Sequence, residues 1–231
     1  MIGILIQLAI SWLIIWLAEK GDLAFMGFRP TVSRMRDFTG FLLLAAGCSS
    51  LTFFLRMYFG QERWVLNPDF SLNLLWNGIW YNVKSVLFEE LIFRGVLFYL
   101  LIKKLGSRYA LWISATAFGI YHWFSYGILG DPGAMIVVFL ITGAAGIVYG
   151  LGYQRTGTLW VPIALHFGWN FTNSFVFSNG NTGKGILVEV LPAPDITVGY
   201  FAYYLISYLH LFLFYLLNIL LLIRRKSPFH K

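Results

Sequence analysis

The chain has few charged residues and almost no cysteine. Of its 231 residues, 12% are charged and 58% are hydrophobic, with a mean hydropathy of +0.71. Soluble domains carry about 25% charged residues, so this composition excludes an ordinary water-soluble protein. The single cysteine, Cys48, excludes an intrachain disulfide and a metal cluster of cysteines. Long polar stretches are also missing, so residues 1–231 are predicted to form a single membrane-embedded domain.

Long apolar runs occupy most of the sequence. A helix that crosses a bilayer needs about 20 mostly apolar residues. Seven runs are candidates, namely 1–18, 38–59, 79–102, 109–126, 133–153, 159–177 and 197–223. They predict an all-α, polytopic bundle of about seven transmembrane helices. A weaker run at 64–78 is predicted to lie in the membrane interface as a helix or to cross the membrane. The first run lacks the basic segment and cleavage site of a signal peptide, so we expect a retained helix.

Basic residues predict how the bundle is oriented. Twelve Lys and Arg residues lie in the alternate connections 19–37, 103–108, 154–158 and 224–231, whereas the other connections hold only two. Because basic loops stay in the cytoplasm, the N-terminus is predicted outside and the C-terminus inside. The net charge of +7 then fits anionic lipid rather than nucleic acid. We expect an integral protein of a prokaryotic plasma membrane.

Small and capping residues predict local packing in the fifth and sixth runs. Gly146 and Gly150 form a small-xxx-small pair that lets a neighbouring helix approach closely. Thr158 is a candidate helix cap, and Pro162 fits the first turn of the helix that follows.

Several ionisable and polar residues interrupt the apolar runs. A charged group at the centre of a membrane costs roughly 2.5–3.5 kcal/mol or more, so such residues usually serve a function. The candidates are Lys84, Glu89, Glu90, Arg94, His122, His166 and Asn170. Lys84 is close enough to a membrane surface to extend its amine into water, so we interpret it as structural.

The first of these groups combines two carboxylates with one guanidinium. Glu90 and Arg94 are four residues apart on one helix face, which predicts an ion pair of structural or supporting function. Glu89 points about 100° away from Glu90, so Arg94 cannot easily neutralise both. A carboxylate that Arg94 does not neutralise could act as a catalytic base, and helix geometry alone leaves open which of the two glutamates does so.

The histidines and the asparagine supply complementary chemistry. Taken singly, His122 and His166 could be ordinary buried histidines. Asn170 follows His166 by four residues, so the two side chains share a helix face. A carboxylate and one imidazole can deprotonate a water molecule, while a second imidazole and an amide can stabilise an oxyanion. No activated serine or cysteine motif is evident, which favours attack by water.

Three motifs in this order resemble a known family. Glu89 to Arg94 fit E-E-x-x-x-R, Phe118 to His122 fit F-x-x-x-H, and His166 to Asn170 fit H-x-x-x-N. The set resembles the CAAX protease and bacteriocin-processing family, also called the ABI family. Its members include type II CAAX prenyl endopeptidases and proteins similar to lysostaphin-resistance protein A. The motif-bearing core covers about 79–177.

The resemblance implies an all-helical intramembrane glutamate protease. By similarity, Glu89 is the base that activates water with the help of His122, while His166 and Asn170 form the oxyanion site. Glu90 and Arg94 support the first motif. Membrane-associated proteins or peptides are the implied substrates, either prenylated CAAX-type proteins or exported leader and bacteriocin-like peptides.

Three alternatives stay open at this point. His122, His166 and a carboxylate could hold Zn²⁺, although H-E-x-x-H is absent and a reaction without any cofactor is favoured. The chain could instead be a non-proteolytic membrane scaffold or a bacteriocin-immunity protein. Chains of Glu and His also relay protons in membranes, so a proton-coupled transporter is a third hypothesis.

Overall fold

The computed structural model describes residues 2–179, 183–191 and 196–229. Helices make up most of these residues, and within them a pair of three-residue strands is the only sheet. The all-α architecture predicted from the sequence is therefore confirmed. Met1 and Lys231, which the sequence assigns to the first span and to the last basic loop, lie outside the described residues.

The helices follow one another with short connections. They are α1 (Ile2–Glu19), α2 (Val32–Phe59), α3 (Leu72–Arg94), α4 (Val96–Leu105), α5 (Ser107–Ser125), α6 (Pro132–Thr156), α7 (Trp160–Asn170), α8 (Tyr200–Tyr204) and α9 (His210–Ile223). A 3₁₀ turn covers Leu23–Met26. Two π-helical segments, Phe171–Val176 and Leu205–Leu209, are called the first and second π segments. Strands β1 (Trp64–Leu66) and β2 (Leu187–Glu189) pair antiparallel.

Several helices are suited to cross a membrane. Among the described residues, four stretches are long and apolar enough, namely Ile2–Glu19, Val32–Phe59, Pro132–Thr156 and Tyr200–Ile223. These coincide with four of the predicted spans and identify a helical integral membrane protein. The remaining predicted spans fall on α3 with α4, on α5, and on α7 with the first π segment. These helices carry the motif residues, and the total of seven spans stays a prediction.

A glycine divides the third predicted span. The apolar run 79–102 predicts one continuous helix, but α3 begins at Leu72 and ends at Arg94, and α4 begins at Val96. A Cβ on Gly95 would overlap the carbonyl oxygen of Leu91, so a larger residue here would force the backbone to shift. The prediction of a single helix over 79–102 is therefore wrong.

The segment 64–78 also differs from its prediction. It is neither one interfacial helix nor a separate span, because Trp64–Leu66 pair with Leu187–Glu189 and Leu72 already begins α3. The aromatic and branched residues of this short segment suit a strand as well as an interfacial helix. The strand partner is distant in the sequence, and local pattern therefore could not identify it.

The chain divides into two compact units. The first comprises Met1–Phe38, Leu87–Ile163 and Asn218–Lys231, and the second comprises Thr39–Val86 and Ala164–Leu217. Helices α2, α3, α7 and α9 therefore contribute residues to both.

An apolar core holds the first unit together. Its buried members are Ile4, Met26, Leu91, Phe98, Ile102, Ala110, Tyr153 and Leu159. Tyr153 combines this burial with a polar contact, since its hydroxyl donates a 2.7 Å hydrogen bond to the carbonyl of Phe25. Thr158 likewise donates to the carbonyl of Gly27 at 2.9 Å and accepts from the amide of Trp160 at 3.2 Å. The helix cap predicted at Thr158 is therefore confirmed.

The segment after α9 packs back onto the first unit. Arg225 forms a bidentate ion pair with Asp37, at 2.6 and 3.0 Å. The ring of Phe229 stacks on Tyr153 with a centroid separation of 5.6 Å, and the Ser227 hydroxyl donates to the carbonyl of Gln154 at 2.7 Å. These contacts hold the segment that follows α9 against the C-terminal end of α6.

Aromatic packing and the two strands organise the second unit. Phe177 stacks on Phe53 with parallel rings 4.1 Å apart, and Trp64 of β1 meets Phe177 edge-on at 5.6 Å. Arg56, near the end of α2, forms ion pairs with Glu62 and with Glu189 of β2. The strand pair is thereby tied to α2.

Candidate active site

The end of α3 carries the first motif. Glu89 and Glu90 point about 100° apart on the helix, so their carboxylates meet different neighbours. The Glu90 side chain is fully buried, and that of Glu89 is 12% exposed. The hydroxyl of Ser114 on α5 donates a 2.7 Å hydrogen bond to the carbonyl of Phe93. Because carbonyl groups in the last turn of a helix need outside partners, this bond fixes the end of α3 beside α5.

Glu90 and Arg94 form the ion pair that their spacing predicts. Arg94 Nη1 lies 3.2 Å from Glu90 Oε1, and both side chains are fully buried. Nη2 of Arg94 donates to the carbonyl of Gly146 on α6 at 3.2 Å. The guanidinium also lies 4.3 Å from the ring centre of Phe118 and 5.2 Å from that of Tyr149. Arg94 thus links α3, α5 and α6, and its charge makes burial of Glu90 tolerable.

Close packing of α5 against α6 provides the carbonyl that Arg94 binds. A Cβ on Gly146 would come within 3.0 Å of the Ala115 Cα, and a Cβ on Gly150 would come within 2.6 Å of the Leu111 side chain. The helix approach predicted from Gly146 and Gly150 is therefore confirmed. It brings the α6 backbone within hydrogen-bond distance of a guanidinium on α3.

Glu89 faces His122 of α5. Glu89 Oε2 lies 4.0 Å from His122 Nε2, and the two side chains are 12% and 8% exposed. His122 Nδ1 lies 2.7 Å from the carbonyl oxygen of Phe118. A carbonyl oxygen can only accept, so Nδ1 carries the hydrogen of this bond. In the neutral ring, Nε2 then presents its lone pair towards Glu89.

His166 and Asn170 occupy α7, within the second unit. His166 is buried, with 3% exposure, and Asn170 is half-buried at the last position of the helix. The Asn170 carbonyl accepts a 2.6 Å hydrogen bond from the hydroxyl of Ser174. Between them, Gly168 packs so tightly on α2 that a Cβ would lie 2.5 Å from the Leu42 carbonyl oxygen. Because both residues belong to one helix, the relative position of the imidazole and the amide is fixed by that helix.

The structure therefore groups the predicted residues as two sets. Glu89, Glu90, Arg94 and His122 come together in the first unit, whereas His166 and Asn170 lie one turn apart in the second. Their catalytic roles stay predictions.

Three supporting residues escaped the sequence analysis. Gly95 ends α3 after the first motif, Ser114 anchors that end, and Tyr149 lies against the guanidinium of Arg94. Tyr149 is three residues after Gly146, hence on nearly the same face of α6. The spacing from Gly146 could have identified Tyr149 in the sequence. Nothing in the sequence distinguishes Ser114 from any other serine in an apolar helix.

The zinc alternative was compared with the donor groups present. A catalytic zinc takes three protein ligands as a rule. Within residues 2–179, 183–191 and 196–229, no three His, Cys, Asp or Glu side chains are grouped so that they could hold a metal ion. The choice between a reaction without a metal and a zinc enzyme therefore stays a prediction, and no step below is routed through a metal.

Part of the chain matches a known family model. Residues 71–172 match the family model described as type II CAAX prenyl endopeptidase Rce1-like. No curated protein and no solved structure matches the chain. The matched segment contains all three motifs, from Glu89 to Asn170, and at family level it supports an intramembrane CAAX-type protease. The match confirms that this integral membrane protein resembles the CAAX protease family, over the segment that carries every predicted site residue.

Proposed function

We propose that the chain is an intramembrane endopeptidase in which Glu89 and His122 activate the attacking water. The separation of 4.0 Å between Glu89 Oε2 and His122 Nε2 carries the proposal. It is too long for a direct hydrogen bond, but it suits two acceptors bridged by one water molecule. The match to the Rce1-like family supports the same reaction.

The tautomer of His122 determines how such a water is oriented. With Nδ1–H donating to Phe118, Nε2 can accept one hydrogen of the water, and the Glu89 carboxylate can accept the other. Both hydrogens are then engaged, and the oxygen lone pairs point at a substrate. Glu90 cannot take this role while Arg94 binds its carboxylate, so it positions the helix instead.

The reaction that follows is hydrolysis without a covalent intermediate. The water oxygen attacks the peptide carbonyl carbon, and Glu89 takes the proton. We propose that His166 and Asn170 donate hydrogen bonds to the oxyanion. When the C–N bond breaks, protonated Glu89 returns the proton to the amine. One water is consumed and two peptides leave.

The substrates are proposed to be membrane-associated proteins or peptides. The family match supports prenylated CAAX-type proteins as one class, and exported leader or bacteriocin-like peptides are the other class proposed. The orientation predicted from basic loops, with the C-terminus in the cytoplasm, belongs to the same proposal.

Cleavage in liposomes tests this function. Wild type, Glu89→Gln and the control Glu19→Gln would be reconstituted with a library of prenylated and unprenylated membrane-anchored peptides. Glu19 pairs with Lys103 at 2.7 Å in a half-exposed site, so its substitution should leave activity unchanged. We expect cleavage by wild type and by the control, and a loss of at least ~100-fold in Glu89→Gln, as general base catalysis contributes that much.

Three results would contradict the proposal. Equal cleavage by Glu89→Gln and wild type would exclude Glu89 as the base. An uncleaved library, together with proton or solute flux that Glu89→Gln changes, would favour the transporter. Binding of a membrane partner that survives Glu89→Gln, without cleavage, would instead favour the scaffold.

A further inference from the structure

A cavity with several polar side chains in its wall lies within the second unit. Its volume is about 250 Å³, and its wall is formed by α2, α7, both π segments, α9 and Asn179. At roughly 30 Å³ per water, the cavity has space for about eight water molecules, or for one residue of a peptide and its flanking amide groups. A concave site with several convergent polar side chains is typical of a ligand-binding pocket.

The guanidinium in the cavity wall is already paired with carboxylates. Arg56 lines the cavity, and its Nε lies 2.9 Å from Glu62 while its Nη2 lies 3.5 Å from Glu189. An anionic ligand would compete with these two carboxylates for the guanidinium. A cationic ligand would face the guanidinium itself. The cavity therefore favours a neutral ligand.

Two asparagines offer the complement of an amide group. Nδ2 of Asn179 donates a 2.9 Å hydrogen bond to Oδ1 of Asn173. This bond uses one end of each side chain, so a ligand can be bound through the amide hydrogens of Asn173 and the carbonyl oxygen of Asn179. A side-chain amide or hydroxyl group of a ligand can both donate and accept, so it can match both ends at once.

Hydroxyl groups on α2 add acceptors to the same wall. Ser49 donates to the carbonyl of Trp169 at 3.3 Å, and Thr52 donates to the carbonyl of Ile206 at 2.9 Å. A hydroxyl has one hydrogen, so each oxygen presents its lone pairs to any further partner. The Thr52 bond reaches the second π segment, and Asn173 belongs to the first. Such helix bulges occur frequently at functional sites.

The cavity adjoins Asn170 along α7. Trp169 and Asn173 both line it, one residue before Asn170 and three residues after it. By helix geometry Trp169 lies about 100° around the axis from Asn170, and Asn173 follows in the first π segment. A ligand in the cavity is thus placed next to the helix face that carries the predicted oxyanion residues His166 and Asn170.

We propose that this cavity is a substrate subsite that binds a neutral polar residue of the peptide. Serine, threonine, asparagine and glutamine can use its donors and acceptors, whereas acidic, basic and large apolar side chains leave those groups without a match. The inference rests on the proposed peptidase, because it names a feature of the peptide that the enzyme selects.

Protection of an introduced thiol tests binding without cleavage. Ser207→Cys, in a Cys48→Ala background, places a thiol in the cavity wall. The probes are acetylated, amidated tripeptides with serine, aspartate, lysine or leucine at the centre, and the readout is the rate of labelling by a maleimide dye in liposomes. At about ten times its Kd, the serine peptide should slow labelling roughly tenfold, and the other three should not. Ser125→Cys, at the exposed end of α5, is the control and should label equally with every peptide.

A charge substitution tests whether the cavity determines specificity. Asn173→Asp adds a carboxylate to the wall and should shift both protection and cleavage preference from serine towards lysine peptides. Asn73→Asp, exposed in the first turn of α3, should leave the preference unchanged. A merely structural role of Asn173 would lower activity on every peptide alike, and that result would overturn the proposal.

The two proposals fail in different ways. If the peptide library is cleaved but all four tripeptides protect the thiol equally, or none protects it, the subsite proposal is overturned and the peptidase proposal stands. Protection by the serine peptide alone, with no peptide cleaved, supports the binding site and overturns the peptidase.

Discussion

Replacing Arg94 by methionine would remove the positive charge that faces a fully buried carboxylate. The Arg94 and Glu90 side chains are both 0% exposed and lie 3.2 Å apart. Removing one partner of a buried pair costs about 3–5 kcal/mol, because the remaining charge stays in a medium that solvates it poorly. Arg94→Met also removes the 3.2 Å hydrogen bond that the Gly146 carbonyl accepts from Arg94, at a cost of about 1–3 kcal/mol. We therefore expect Arg94→Met to lower the free energy of unfolding by an amount in the upper part of the range of about 3–5 kcal/mol.

A double variant separates the charge from the lost packing. In Glu90→Leu/Arg94→Met both charges are gone, while the hydrogen bond from Arg94 to the Gly146 carbonyl is still lost. The double variant should therefore be more stable than Arg94→Met alone, and a double-mutant cycle should give a coupling energy of about 2–3 kcal/mol between positions 90 and 94. Unfolding in mixed detergent micelles, followed by circular dichroism, would measure all four free energies.

An exposed ion pair provides the control. Lys103 and Glu19 are closer together, at 2.7 Å, but their side chains are 46% and 26% exposed. Surface pairs contribute about 0–1 kcal/mol, so Lys103→Met should change the free energy of unfolding far less than Arg94→Met. Equal effects of the two substitutions, or a coupling energy near zero for Glu90 and Arg94, would refute the argument from burial.

Three further predictions concern the backbone, the oxyanion and the metal. Gly95→Ala should destabilise the protein by roughly 1–3 kcal/mol, because the structure must shift to relieve the overlap with Leu91. Gly47→Ala, in a helix with open space around it, should stabilise the protein by up to about 1 kcal/mol. Thermal unfolding of the two variants measures both effects, and equal effects would contradict the overlap at Gly95. Asn170→Ala should lower kcat by roughly 100-fold with little change in KM, as expected for loss of one oxyanion donor, and a rise in KM alone would assign it to binding. Cleavage by wild type should be unaffected by a strong chelator, and loss of activity that added Zn²⁺ restores would favour the metal alternative.

Local spacing in the sequence predicted the contacts that belong to one helix face. Glu90 and Arg94 are four residues apart, and their ion pair forms as expected. Gly146 and Gly150 predicted a close helix approach for the same reason, since glycine at a one-turn spacing leaves a groove. In both cases the determining geometry is internal to a single helix.

Features that depend on distant residues, on a single glycine, or on one residue added to a helical turn could not be predicted from the sequence. A single glycine such as Gly95 is tolerated within many membrane helices, so its effect depends on the backbone conformation around it. The pairing of β1 with β2 joins segments too short to be recognised as strands. The π segments add one residue to a turn without any change of composition, and the cavity they line was therefore not expected.

The pairing of Trp64–Leu66 with Leu187–Glu189 also has a consequence for biosynthesis. The loop that this pair closes, residues 67–186, contains every residue of the three motifs. A ribosome therefore delivers all the motif-bearing helices before the partner of β1 emerges. Until then the main-chain groups of residues 64–66 need water as their partner, because hydrocarbon offers none. Such long-range pairing forms late in assembly, so we expect the second unit to mature only after synthesis has passed residue 189, with truncation before that point trapping an incompletely folded protein.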